Sequence, residues 1–120
     1  MMKVQLRNAD NVSIVDCSGD MDLYSCPRLR EVLLREMRSG IPSVLVNMSE
    51  VTYIDSSGIA TLVEGLQLSR ETKTRFGLYG LRTGARSVLE LARLHNMFNI
   101  FANEPEALEK ISSVQPFAGI

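Results

Sequence analysis

The feature that most constrains this fold is a run of apolar residues that gives way, after a short polar junction, to helical spacing. Residues 44–48 have the length and β-branched content of a strand buried on both faces. Further along, apolar residues recur at i, i+3, i+4 and i+7, which predicts a helix with Thr61 and residues 67–70 mostly in water. Its predicted core stripe is Ile59, Leu62, Val63 and Leu66. A buried strand followed by an amphipathic helix indicates an α/β sheet.

The rest of the chain alternates between the same two patterns. Two short strands, at 3–7 and 12–17, are expected to form a hairpin through a polar turn at 8–11. A helix capped by Ser25 or Cys26 follows, and later segments repeat the strand and helix patterns as far as residue 111. The predicted order is ββαβαβαβα, with right-handed crossovers and helices packed on a mixed sheet.

The length of 120 residues fits a single domain. Its predicted core is 3–111, and residues 112–120 are predicted to be a flexible tail.

Charge and apolar content exclude several function classes. Thirteen basic and fourteen acidic residues give a net charge of −1, without the positive field that nucleic-acid binding needs. No segment approaches the roughly twenty apolar residues of a membrane span, so neither export nor direct membrane insertion is predicted. The sequence therefore predicts a cytoplasmic protein.

Nothing in the sequence indicates an enzyme, a metal site or a cofactor. Cys17 and Cys26, interpreted as a core and a loop residue, are too few for a disulfide framework or a zinc site. His95, the only histidine, is expected on a turn. The segment 80–87 has three residues between its glycines and no lysine, so it is not a Walker phosphate loop.

The polar junction is Asp55, Ser56, Ser57 and Gly58. Ser56 or Ser57 is the expected N-cap, because a hydroxyl accepts a hydrogen bond from an unpaired helix N–H. Free N–H groups and the helix dipole would also tolerate a phosphoryl group on Ser56. Such a group would repel a docked apolar partner, which makes a switch chemically possible. On these residues alone, simple helix capping is the commoner interpretation.

A longer stretch resembles the signature of STAS domains, the bacterial anti-sigma factor antagonists and their relatives. It spans residues 44–66 and includes Asn47, Val51, residues 54–59 and Leu62. A second match, residues 19–22 (Gly-Asp-Met-Asp), resembles the Gly-Glu-Leu-Asp turn that follows the second strand of that family near the serine loop. The resemblance implies a STAS-type mixed sheet with helices mainly on one face.

The family also implies a regulatory cycle, in transcription regulation such as stress response or sporulation. Unphosphorylated protein would bind an anti-sigma factor with serine kinase activity of the GHKL type, and phosphorylation would release it. A PP2C-type phosphatase would reset the cycle. The family's phosphoacceptor falls on Ser56, and Asp22, Asp55, Ser57 and Gly58 match the rest of the switch loop.

Two alternatives remain open at this point. The same domain serves as a constitutive, unphosphorylated subunit of lipid-transport ABC permeases, where its corner would dock on the permease. A sensory or scaffold module of a larger stress-response complex is the third possibility. The sequence leaves the oligomeric state open.

Overall fold

The computed structural model describes residues 2–114, which form one five-stranded sheet and four helices. In chain order the elements are β1 (Lys3–Ala9), β2 (Val12–Met21), α1 (Cys26–Arg38), β3 (Ser43–Ile54), α2 (Ser56–Thr72), β4 (Arg75–Tyr79), α3 (Thr83–Leu91), β5 (Asn99–Phe101) and α4 (Glu104–Ile111). The strands lie in the order β1-β2-β3-β4-β5, with β1 antiparallel to β2 and the others parallel. The predicted element order and mixed sheet are confirmed. From residue 115 onward, the expected tail lies outside the described residues.

The first hairpin is tighter than predicted. Residues 8 and 9 belong to β1, so the connection shrinks from the expected 8–11 to Asp10 and Asn11 alone. Asp10 has a φ of 55°, a left-handed conformation that Asp tolerates better than most residues and that two-residue hairpins require. The hairpin therefore closes directly on the pair formed by Ala9 and Val12.

The two central strands are longer than predicted. β2 continues to Met21 and β3 continues to Ile54, where these two residues are paired. Residues 19–21, expected to form a turn, are therefore in the strand, and Asp22 alone lies beyond it. The pairing shifts register near Gly19, whose φ of 101° is open to glycine but not to most residues.

The sheet separates a large core from a small one. Val44, Val46 and Met48 face the large core, which also contains buried residues of α1, α2 and α3. Leu45 faces the other side, where buried residues of α4 cover the sheet. Three helices therefore pack on one face and one on the other, which confirms the expected arrangement with helices mainly on one face.

Helix α2 is more buried than its predicted stripe. Thr61 and Ser69 were expected in water but are only 7% and 3% exposed, whereas Ile59 on the predicted stripe is half-buried. The reason is that α2 packs against both the sheet and α1. At Gly65, an added Cβ would lie 3.2 Å from a Leu33 methyl group in α1 and 3.3 Å from the Phe76 ring in β4.

None of the helices within residues 2–114 has the length and apolar content needed to cross a lipid bilayer.

Candidate functional site

Two neighbouring strands end at the same corner of the molecule, and a helix begins beside each. Asp22 follows β2, and Asp55 follows β3. The two strand ends are joined directly, because the Asp55 N–H donates to the Met21 carbonyl at 3.3 Å. Loops that follow adjacent parallel strands meet at one edge of a sheet, where α/β proteins commonly bind ligands and partners. We call this region, Asp22 to Cys26 together with Asp55 to Thr61, the switch corner.

The N-cap of α2 is Asp55, and the expectation that Ser56 or Ser57 caps this helix is wrong. One oxygen of Asp55, Oδ1, accepts hydrogen bonds from the Ser57 N–H at 2.9 Å and the Gly58 N–H at 3.1 Å. Asp55 has extended backbone angles, as an N-cap needs, and a carboxylate adds favourable interaction with the helix dipole. Both serines therefore lie inside the first turn.

This capping changes the electrostatics expected for a phosphoryl group on Ser56. The N–H groups of Ser57 and Gly58, which were expected to be free for a phosphate, are already bonded to Asp55. Ser56 itself is exposed at the first position of α2. A phosphoryl group there would place roughly two further negative charges beside an existing carboxylate, with solvent rather than the helix as its main stabiliser.

Ser57 differs from its neighbour in its surroundings. Its side chain is half-buried, its N–H is held by Asp55, and its carbonyl accepts the Thr61 hydroxyl at 2.9 Å. Ser57 is thus part of the local packing of α2, whereas Ser56 presents its hydroxyl to solvent.

Gly58 allows α2 to approach the strand ends. A Cβ at this position would lie 2.6 Å from the Met21 carbonyl oxygen and 2.7 Å from the Ile54 side chain. Both distances are shorter than real Cβ contacts, and one of the atoms belongs to the backbone. Glycine is therefore required here for the helix to start where it does.

Asp22 shapes the loop that leads into α1. Its Oδ1 accepts hydrogen bonds from the N–H groups of Tyr24 and Ser25, both at 3.1 Å. Ser25 is the N-cap residue of α1, but its hydroxyl accepts the Met2 N–H instead of capping the helix. The structure thus places Asp22 at the predicted corner, bonded to its own loop.

The interpretation of Cys26 as a loop residue is wrong, whereas Cys17 lies in the core as predicted. Cys26 is the first residue of α1 and is only 5% exposed. Burial raises the pKa of its thiol, and the nearby Asp55 and Asp22 carboxylates add to the rise. Cys26 is thus a protonated, buried side chain between the two halves of the switch corner.

Apolar side chains surround this polar corner. Leu23 and Tyr24 are 63% and 90% exposed, so two large side chains with apolar surface lie next to each other in the loop before α1. A shallow groove runs between the start of α1 and the start of α2. It is lined by Leu23, Cys26, Pro27, Arg30, Ser57, Ala60 and Thr61. The arrangement suits the docking of a partner with apolar side chains.

The switch loop predicted from the sequence contained Asp22 and residues 55–58. The contribution of Leu23, Tyr24 and Pro27 was missed. The available signal was a pair of large apolar residues directly after Asp22, in a segment with no periodic pattern that would bury them.

Across residues 2–114, no three His, Cys, Asp or Glu side chains are grouped in a way that could hold a metal ion. His95 lies in a turn, as predicted.

The chain resembles known proteins at the level of family and of fold. A family model described as the STAS domain matches residues 3–107 of the chain. The "Anti-sigma-B factor antagonist" of Staphylococcus aureus is 23% identical over 99 residues, covering 82% of this chain and 92% of the relative.

Solved structures share the fold. An anti-sigma factor antagonist from Mycobacterium paratuberculosis superposes with a TM-score of 0.84 at 23% identity, covering 93% of this chain and 95% of that chain. Bacillus SpoIIAA in its phosphorylated form gives a TM-score of 0.73 at 18% identity, covering 91% and 99%. A sulfate transporter family protein from Wolinella succinogenes gives 0.78 at 19%, covering 89% of each chain.

Proposed function

We propose that this chain, which belongs to the STAS domain family, is an anti-sigma factor antagonist whose binding is gated by phosphorylation of Ser56. The observation that carries the proposal is the position of Ser56. It is exposed at the first residue of α2, beside the Asp55 carboxylate and next to the apolar groove of the switch corner. The name of the Staphylococcus aureus relative, and a phosphorylated form of a structural neighbour, support the same function.

In the unphosphorylated state, the switch corner would dock on the anti-sigma factor. The exposed side chains of Leu23 and Tyr24 have apolar surface that a partner would remove from water, which favours binding. Large aromatic side chains also often contribute most of an interface's binding energy. Binding would occupy the anti-sigma factor and release its sigma factor. This is a binding role, with the catalytic step supplied by the partner.

The partner would be an anti-sigma factor with serine kinase activity of the GHKL type. The γ-phosphoryl group of ATP would move to the Ser56 hydroxyl oxygen, ADP would leave, and the hydroxyl proton would pass to a base on the partner. The phosphorylated corner would then carry added charge against an apolar surface. An unpaired charge at an interface costs roughly 2 to 5 kcal/mol, or about tens- to thousands-fold in affinity. A PP2C-type phosphatase would restore the binding form, and the cycle would run in the cytoplasm.

Each switch residue has a separate part in this proposal. Ser56 accepts the phosphoryl group, because Ser57 is half-buried and engaged in local packing. Asp55 fixes the start of α2 and supplies the neighbouring charge. Gly58 permits the close approach of α2, and Asp22 shapes the loop that displays Leu23 and Tyr24.

The test is affinity capture from the protein's own cells with matched variants. Ser56→Ala is expected to retain the anti-sigma factor, and Ser56→Asp is expected to lose at least roughly ten-fold of it, because the added charge mimics phosphate. Ser113→Asp is the control, since Ser113 is exposed just beyond α4, whose buried residues cover the other face of the sheet. It should capture as much partner as the wild type.

The runner-up is a constitutive STAS subunit of a lipid-transport ABC permease. The support for this class is the fold that the chain shares with a solved sulfate transporter family protein. In that role Ser56 would only be the first residue of a helix. Capture of a permease and its ATPase, equally by Ser56→Ala and Ser56→Asp, would contradict the antagonist proposal.

A further inference from the structure

Strand β1 leaves an open edge on the sheet, because no strand within residues 2–114 pairs with its outer side. It is the terminal strand, it is seven residues long, and it contains no proline. Its pairing with β2 runs from Lys3 to Ala9 without the register shifts found between β2 and β3. The opposite edge, β5, has only three residues. A long, regular edge strand presents unpaired N–H and C=O groups that can pair with another strand.

The hairpin fixes which residues direct their backbone groups outward. A two-residue loop closes on a hydrogen-bonded pair, here Ala9 with Val12. Hydrogen-bonded and non-hydrogen-bonded pairs then alternate along an antiparallel ladder. The residues of β1 whose N–H and C=O groups point away from β2 are therefore Asn8, Leu6 and Val4.

These three positions are symmetric about Leu6. If a second β1 lies antiparallel along the edge with a two-fold axis at Leu6, each Leu6 faces the other Leu6, and Val4 faces Asn8 of the other copy. All three pairs then join outward-facing groups. Each hydrogen-bonded pair exchanges two bonds, so the two edges would share about six main-chain hydrogen bonds.

The side chains of β1 also suit this pairing. Leu6 is 38% exposed and lies on the same face of the strand as Val4, which packs partly against the large core. Two Leu6 side chains meeting at the axis would extend that core across the contact.

The charges of β1 do not oppose each other in this register. Lys3 would lie opposite Ala9, and Arg7 opposite Gln5. Arg7 is moreover held by Asp16 and Glu104 within its own chain, so its charge is turned away from the edge and already paired. Charged side chains are a common means of protecting edge strands, and of the two in β1, Lys3 and Arg7, the one beside the axis is paired within its own chain.

We propose that β1 is a self-association edge, at which two copies of this chain pair antiparallel about Leu6 to form one continuous ten-stranded sheet. The partner is a second copy, because a two-fold axis at Leu6 pairs every outward-facing N–H and C=O group of one β1 with an outward-facing group of the other. The hydrogen bonds of this contact are made by residues 4, 6 and 8, which lie outside the switch corner, so the inference does not rest on the proposed function.

Sedimentation equilibrium of the full chain tests the association. The wild type is expected to rise from one to two chain masses over roughly 1 μM to 1 mM. Leu6→Lys would place two like charges at the axis and should weaken the dimer by about ten-fold or more. Leu91→Lys is the control, since Leu91 is 85% exposed at the end of α3, and it should leave the dimer unchanged. A wild type that stays monomeric, or a dimer that Leu6→Lys does not weaken, would overturn the proposal.

Cross-linking tests the register itself. In a hydrogen-bonded antiparallel pair the Cα atoms lie about 5.5 Å apart and the Cβ atoms nearly as far, which is wider than a disulfide prefers but within reach of a short bifunctional thiol reagent. Leu6→Cys is therefore expected to form a covalent dimer with such a reagent. Asn8→Cys should not, because the two residues 8 would lie more than about 13 Å apart. The native Cys17 and Cys26 are buried, so they should not form cross-links in this assay. Equal cross-linking at both positions, or none at position 6, would contradict the register.

Discussion

At the residue scale, the switch corner depends on the carboxylate of Asp55 and on the glycine at position 58. Asp55 holds two N–H groups of the first turn of α2, and Gly58 lets that turn approach within contact of the Met21 carbonyl. Together they set where the helix begins, and therefore where Ser56 stands. A substitution of Asp55 or Gly58 would therefore move the exposed Ser56 hydroxyl although Ser56 itself is unchanged.

Gly58→Ala is expected to lower the free energy of unfolding by about 2–3 kcal/mol, because its methyl group would overlap a backbone carbonyl. Gly84→Ala is the matched control. No heavy atom lies within 4 Å of a Cβ added at Gly84 in α3, so the change should be within about 1 kcal/mol of neutral or slightly stabilising. Urea unfolding of the two variants measures the difference, and equal stabilities would refute the close-packing argument.

At the element scale, a polar network on the α4 face ties the edge strand to the rest of the sheet. Arg7 in β1 forms ion pairs with Asp16 in β2 and with Glu104 at the start of α4. Tyr79 donates to Glu104 at 2.6 Å, and Asn47 donates to Asp16 at 2.8 Å. The guanidinium of Arg7 lowers the pKa of both carboxylates.

The sign of the pH dependence follows from the lowered pKa of Asp16. A carboxylate whose pKa is lower when folded stabilises the fold above its unfolded pKa, and this contribution is lost as the pH falls through the folded value. Asp16→Asn should therefore cost about 1–2 kcal/mol near pH 7, and the gap to the wild type should shrink below about pH 4.

Denaturant unfolding near pH 7 and near pH 3 measures this gap. Asp10→Asn is a suitable control, because Asp10 is exposed in the hairpin turn and asparagine tolerates its positive φ. Its effect should be small at both values. A gap for Asp16→Asn that stays constant with pH would show that the network acts through packing rather than charge.

At the scale of the whole molecule, the two proposed contact regions occupy different positions on the sheet. The switch corner lies at the carboxyl ends of β2 and β3, whereas the open edge lies along β1. Self-association would use the backbone edge of β1, and partner binding would use the side chains of the switch corner. The two regions adjoin at Met2, whose N–H donates to the Ser25 hydroxyl.

The order of elements could be predicted from the sequence because apolar periodicity reports burial directly. The ends of β2 and β3 could not, since residues 49–54 mix polar and apolar side chains and gain strand structure only by pairing with β2. The sequence likewise could not decide which residue is the N-cap of α2. Asp55, Ser56 and Ser57 are all good capping residues, and only backbone geometry selects Asp55.

The sequence predicted the polar residues of the candidate site but not its apolar residues. A short motif located Ser56 and its neighbours at the end of β3. The apolar side chains of Leu23 and Tyr24 were missed because exposure depends on what packs over a loop, which no local pattern reports.

Phosphoryl transfer with the captured partner would show directly whether Ser56 is the switch residue. The purified chain would be incubated with that partner and Mg-ATP, and the peptide containing residues 55–58 analysed by mass spectrometry while complex formation is followed. We expect one phosphoryl group on Ser56, also in a Ser57→Ala variant, together with dissociation of the complex. A complex that persists under Mg-ATP with Ser56 unmodified would contradict a phosphorylation switch at this residue.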